Sequence, residues 1–295
     1  MNEMTAAFYT TIENVMDRDK RTVVLLGVSG VGICVDLAPR FPGRFIDAGI
    51  MEQAIIGIAS GMSAAGLIPI VYGQSTFMIE RAYEQLKVDF GYQKLGGNFV
   101  VYGGSTEFGT LGATHCCPAA LSVLSVIPGM EIVVPGRPDE FSSLFNETYD
   151  NGNPTVYRTS LFCNSYHEPV AFGKANVVKR GNKATVLAVG PMLELAMRAL
   201  QDEDVTILYY TTVSPFDAGT LRENFVNGRL LLMEPAYQGG ILPQVTKALQ
   251  GEKVKMDFVG YPHEFITNHG YVVENAPMYG MTAGAVNEKY KELIR

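Results

Sequence analysis

The chain has 295 residues, of which 47% are hydrophobic and 18% charged, and a formal net charge of −7. That is room for about two domains with well-filled cores and excludes a disordered polymer. The acidic balance, with no basic run and no interleaving of aromatic and basic residues, excludes nucleic-acid binding through a charged patch.

In chain order, the apolar pattern predicts a buried strand at 22–27 running into the turn Gly27-Val28-Ser29-Gly30-Val31-Gly32, then a helix at 51–65. A strand at 68–72, a helix at 80–92 with Ala82, Leu86 and Phe90 on one side, and strands at 98–102 and 130–134 follow. A helix at 139–149 ends at Asp150-Asn151-Gly152-Asn153-Pro154, and a strand returns at 155–157. Residues 164–174 are polar, with Pro169 and Gly173, and read as a linker. A second alternation has strands at 184–189, 205–210, 230–234 and 255–259, and helices at 192–200, 240–249 and 282–294. The fold class is α/β, with two domains at 1–165 and 179–295 joined by a linker at 166–178, each a mostly parallel sheet covered by helices. No apolar run approaches the ~20 residues of a membrane span. Met1-Asn2-Glu3-Met4 does not begin a secretory leader. Cysteines at 34, 116, 117 and 163 form no disulfide framework, so a reduced, cytoplasmic protein is expected.

The glycine turn after the first strand lacks the G-x-G-x-x-G spacing and an acidic ribose partner, and reads as a strand-to-helix turn. His115, in Gly112-Ala113-Thr114-His115-Cys116-Cys117-Pro118, is either a loop-borne proton carrier or a capped loop histidine. Adjacent Cys116 and Cys117 cannot readily both reach one zinc ion, and no metal site is expected. His167, His263 and His269 read as surface residues, and no G-x-S-x-G elbow supports hydrolase chemistry. Phe77 follows a strand at the sheet edge where ligands bind in open α/β folds. Glu52 begins a helix rich in Gly, Ala and Ser, which a neighbour can approach closely. It is either a helix-dipole partner, at up to roughly 1 kcal/mol, or an acid that activates a cofactor.

An ordered set of segments narrows these alternatives: Arg44-Phe45-Ile46-Asp47-Ala48-Gly49-Ile50-Met51-Glu52-Gln53, Gly66-Leu67-Ile68-Pro69-Ile70, Ser75-Thr76-Phe77, Arg81-Ala82-Tyr83-Glu84-Gln85, Ala113-Thr114-His115 and Ile127-Pro128-Gly129-Met130. In order and approximate spacing the chain resembles the C-terminal half of transketolase and of 1-deoxyxylulose-5-phosphate synthase. The resemblance continues through Gly190, Pro215-Phe216, Glu234 and Gly239-Gly240. It implies thiamine diphosphate, with Glu52 hydrogen-bonding N1′ of the aminopyrimidine, Phe77 stacking on that ring, and Gln74 and Ile50 beside it. It also implies His115 near the hydroxyls of a donor sugar, Arg158 near the family's phosphate-binding arginine, and Ser29 on the substrate side.

Some positions depart from the family pattern. Leu111 stands where an acid usually reads the donor, Cys116 and Cys117 follow His115, Gln74 replaces an aromatic of some members, and Ser29-Gly30 replace an early acid. No Gly-Asp-Gly motif for the diphosphate and Mg2+ is present. The resemblance then implies a split enzyme: a C-terminal subunit, paired in a heterotetramer with a partner that carries Gly-Asp-Gly, transferring a two-carbon ketol unit between sugar phosphates or related sugars. Alternatives are a subunit like the deoxyxylulose-phosphate synthase or the 2-oxoacid dehydrogenase beta chain, and, from another class, a non-catalytic regulatory subunit.

Overall fold

A computed structural model describes residues 2–27, 32 and 36–295. It opens on a helix that the sequence pattern does not predict, α1 (Glu3–Arg18). Asn2 caps it, its side-chain oxygen accepting from the Thr5 N–H at 2.8 Å. Met4, Phe8, Ile12, Val15 and Met16 form its buried stripe at helical spacing. Tyr9, Thr10 and Thr11, set among them, dilute the pattern in one dimension.

The first sheet contains β1 (Thr22–Leu26), β2 (Phe45–Asp47), β3 (Ile68–Gln74), β4 (Gly97–Tyr102), β5 (Glu131–Val133) and β6 (Pro154–Arg158). The second contains β7 (Ala175–Lys179), β8 (Thr185–Val189), β9 (Thr206–Tyr210), β11 (Arg229–Tyr237) and β12 (Lys255–Tyr261). Between them in sequence lies β10 (Thr212–Ser214), which crosses over and pairs antiparallel with β5. The strand orders are β10-β5-β6-β4-β3-β1-β2 and β12-β11-β8-β9-β7. Apart from β10 on β5 and β7 on β9, neighbouring strands run parallel. The α/β class with two mostly parallel sheets thus agrees with the pattern of continuous apolar runs. β7 starts inside 166–178, the stretch read as a linker, and pairs Ala175 with Tyr210.

On one face of the first sheet, α1 and α5 (Pro138–Thr148) bury Phe8, Ile12, Tyr72, Phe141, Phe145 and Tyr157. The other face is covered by α2 (Glu52–Ala64), by a helical run α3, and by α4 (Ala120–Ser125). α3 is built from Thr76–Arg81, Tyr83–Gln85 and Leu86–Tyr92. Its first and last pieces are π-helical, a form that clusters at functional sites. It begins four residues before the predicted 80–92, so Phe77 lies in its first turn.

One apolar cluster runs from Ile55, Ile79 and Leu124 through to Leu187 and Leu232 of the second sheet and Ile241 beside it. Each such side chain stabilises the fold by ~1.5–3 kcal/mol on burial, so the two sheets share a core. The second sheet is further covered by α6 (Met192–Ala199), α7 (Ala218–Glu223), α8 (Leu242–Ala248), α9 (Val272–Met278) and α10 (Ala283–Ile294). Among the described residues no helix is long and apolar enough to cross a membrane.

Candidate functional site

Glu52, Phe77 and His115 follow the C-terminal ends of β2, β3 and β4 respectively, where ligands bind in open α/β sheets. The chain turns into α2 at Gly49, and this turn passes close under Gly27: a Cβ on Gly27 would lie 2.6 Å from the Gly49 carbonyl oxygen. Met51, at the N-cap, supplies no capping side chain, so the Glu52 carboxylate is the acidic group of the first turn. Glu52 is buried, and its Oε2 accepts from Arg81 Nη1 at 2.8 Å. The Arg81 guanidinium lies over the Phe77 ring, 4.4 Å from its centroid. Phe77 in turn meets the His115 imidazole edge-on, with ring centroids 5.2 Å apart. Gln74 Nε2 donates to the His115 carbonyl at 3.2 Å, and Thr114 Oγ1 lies 2.9 Å from His115 Nδ1. Carboxylate, guanidinium, aromatic face and imidazole thus form one continuous row. Arg81 is the member to which sequence reasoning gives no role; its spacing of four from Phe77 on one helix is the available signal.

The loop carrying His115 is braced from the second domain. Gly112, at φ +82°, faces His269, and a Cβ there would lie 2.7 Å from the imidazole Cε1. Gly109 abuts the Gly270 carbonyl, and Asn275, fully buried, donates to that same carbonyl at 2.9 Å. His269, read from the sequence as a surface residue, is exposed and borders the His115 loop at Gly112. Cys116 and Cys117 are buried: Cys117 Sγ donates to Glu80 Oε1 at 3.6 Å, and its N–H pairs with Ser105 O. Burial pushes the Cys116 thiol up to about 11 and the Cys117 thiol well above its ordinary value, so both are packing groups rather than thiolates. Among the described residues no group of three or more His, Cys, Asp or Glu converges as a metal site.

Of the remaining sequence-derived candidates, Arg158 lies apart from this row. Ile50 projects outward, 72% exposed. Ser29 lies outside the described residues. Arg158 is fully buried, and its Nη2 donates to Ser105 Oγ and to the Pro235 carbonyl, tying the first domain to β11 of the second. Burial pulls its proton affinity down while neighbouring Glu107 opposes that pull.

Glu107 lines a cavity of about 460 Å³ between the domains, walled also by Cys163, Pro235 and Ala276; neither Glu52, Phe77 nor His115 reaches it. Glu107 is half-buried, but its carboxyl end is enclosed, accepting from Ser160 Oγ at 2.6 Å and the Leu161 N–H at 3.2 Å. Burial pushes this carboxyl from its ordinary 4.5 up to about 7, against the pull of Ser160 and Arg158. A carboxyl raised in this way keeps its proton in the folded state. Its contribution to stability is complete below the ordinary value and is lost as pH rises through 7. Glu107→Gln is therefore expected to gain about 1–3 kcal/mol relative to the parent between pH 5 and pH 8. Denaturant unfolding at the two pH values measures it, and a pH-independent difference would refute it.

Comparison with known proteins accords with this architecture. Residues 2–160 match the family model of the transketolase pyrimidine binding domain, and residues 173–286 match that of the transketolase C-terminal domain. The chain belongs to the transketolase family. It is 30% identical over 296 residues to an uncharacterized 33.6 kDa protein in the fasciation locus of Rhodococcoides fascians, covering 99% of this chain and 95% of that one. It is 27% identical over 303 residues to one of the subunits of the apulose-4-phosphate transketolase of Phocaeicola vulgatus, covering 98% and 96%. A solved split gene transketolase, described as an inactive beta4 tetramer, superposes with a TM-score of 0.85 at 22% identity over 98% of both chains. The family is thiamine-diphosphate-dependent.

Proposed function

We propose that this chain is the pyrimidine-side subunit of a split transketolase-type enzyme, transferring a two-carbon ketol unit between sugar phosphates or related sugars. The observation that carries the reading is that Glu52 and Phe77 converge on one planar, N–H-bearing group, the Arg81 guanidinium. An aminopyrimidine has the same two needs, an aromatic face to stack on and a carboxylate at its polar edge, so the residues fit thiamine diphosphate. When bound, the cofactor supplies the carbon nucleophile that takes up the two-carbon unit. Glu52 holds or returns the proton at N1′, from a buried position at a helix start. Phe77 orients the ring, and Gln74 fixes the His115 loop through its carbonyl. His115, packed on Phe77, faces the donor's hydroxyls. Leu111, 54% exposed, offers an apolar surface where the family pattern has an acid, which favours a donor unlike the usual pentose phosphates.

The diphosphate and Mg2+ are assigned to a partner subunit carrying Gly-Asp-Gly, a motif that this sequence lacks. The Phocaeicola vulgatus relative's being named as a subunit, and the length match to a split gene transketolase, support that division. So does exposed apolar surface beside Glu52, with Ile50 72% and Met51 48% exposed and, among the described residues, open space within 4 Å of where a Cβ on Gly61 of α2 would lie. The neighbour expected against the small residues of α2 is then the partner.

Calorimetry with thiamine diphosphate and Mg2+ tests this reading. The chain alone should bind only at about millimolar Kd, and the chain mixed with a partner carrying Gly-Asp-Gly at about micromolar Kd. Micromolar binding by the chain alone would overturn the divided site.

A further inference from the structure

Resting on that reading, we infer that Arg81 is an internal place-holder for the aminopyrimidine, occupying its seat between Phe77 and Glu52 until the cofactor displaces it. The guanidinium is planar, as the incoming ring is. It lies 4.4 Å from the Phe77 centroid, inside the ~6 Å range of a cation–π contact, and covers the face on which the ring would stack. At the same time its Nη1 donates to Glu52 Oε2 at 2.8 Å, the bond that a pyrimidine nitrogen would have to replace. One seat cannot hold both groups.

The two partners are unequally free to move. The Glu52 side chain is 9% exposed and the Arg81 side chain 43%. Glu52 also starts α2, whereas Arg81 is a long, flexible side chain at the end of the π-helical turn Thr76–Arg81. The arginine is the member that swings out. In the unassembled subunit it leaves no buried carboxylate unpaired.

The cost of displacement appears in affinity. A half-exposed ion pair and one cation–π contact are each weak. Together they keep the open form at roughly 3–20% of the population, and apparent affinity falls by that fraction. Removing the arginine should therefore tighten cofactor binding by roughly 5–30-fold, with the gain in the association rate. A side chain that merely supported the fold, or that gripped the cofactor, would have the opposite effect when removed.

The test is the Kd and association rate of thiamine diphosphate with Mg2+, by calorimetry and stopped-flow fluorescence, in the complex with the Gly-Asp-Gly partner. Parent, Arg81→Ala and Phe77→Ala are compared. The expected result is tighter, faster binding in Arg81→Ala and weaker binding in Phe77→Ala. Weaker or unchanged binding in Arg81→Ala, with Phe77→Ala still impaired, overturns the place-holder alone. No cofactor binding by the parent complex overturns the functional reading, and the place-holder with it.

Discussion

Glu52→Gln, in the complex with the diphosphate-side partner, is expected to lower kcat by ~10²–10⁴-fold while leaving the fold intact. Glutamine has the same size and can still accept from Arg81 Nη1, so the packing around the 2.8 Å contact is retained. What it cannot do is take up and return a proton at N1′. The structural cost is that of a charge at a helix start, up to roughly 1 kcal/mol, because Glu52 lies in the first turn of α2. Steady-state kinetics and thermal unfolding of the same preparation separate the two effects. A large loss of kcat with little change in Tm is the expected pair. Full activity in Glu52→Gln would instead favour a chain that shapes a complex without taking part in its chemistry.

What can be read from the sequence, and what cannot, divides along the length scale of the contacts. β1, β8 and β9 are buried along their whole length, and each is a threonine followed by a continuous apolar run of four residues that local pattern reveals. Glu52 and Phe77 are legible because each lies within a few residues of a strand end, and His115 because it sits in a glycine-rich loop, while strand ends converge at one edge of a parallel sheet. α1 escapes the pattern because threonines and Tyr9 interrupt its contrast, although its apolar spacing is regular. β10 is three residues long, and its pairing with β5 depends on the other domain. The bracing of the His115 loop depends on distant partners of the same kind: Thr106 Oγ1 meets Tyr261 OH at 2.7 Å across 155 residues of sequence. Arg81 is visible as a residue, but its contact with Glu52 spans 29 residues and exists only once α2 and α3 are side by side.

Arg158 distinguishes a structural arginine from a substrate-binding one. Its guanidinium is fully buried, with Gly104 so close that a Cβ there would lie 2.5 Å from Cζ. Arg158→Ala removes this packing together with the bonds to Ser105 Oγ and Pro235 O, and a loss of about 3–5 kcal/mol in unfolding free energy is expected. Arg158→Met should recover more than half of that loss. The methionine refills much of the volume, and the Ser105 hydroxyl already donates to Pro235 O, so neither group is stranded when the guanidinium is gone. Glu107, already raised to about 7, then accepts its proton more readily instead of remaining as an uncompensated buried charge. Denaturant unfolding of the chain measures both variants. In the assembled enzyme, Arg158→Met should keep the KM for a phosphorylated donor within about twofold of the parent, a difference of ~0.4 kcal/mol at most. A tenfold rise in KM in a well-folded Arg158→Met would return this arginine to the substrate site. The guanidinium is enclosed between Ser105 and Pro235, so the expected damage is to the junction of the two domains rather than to substrate affinity.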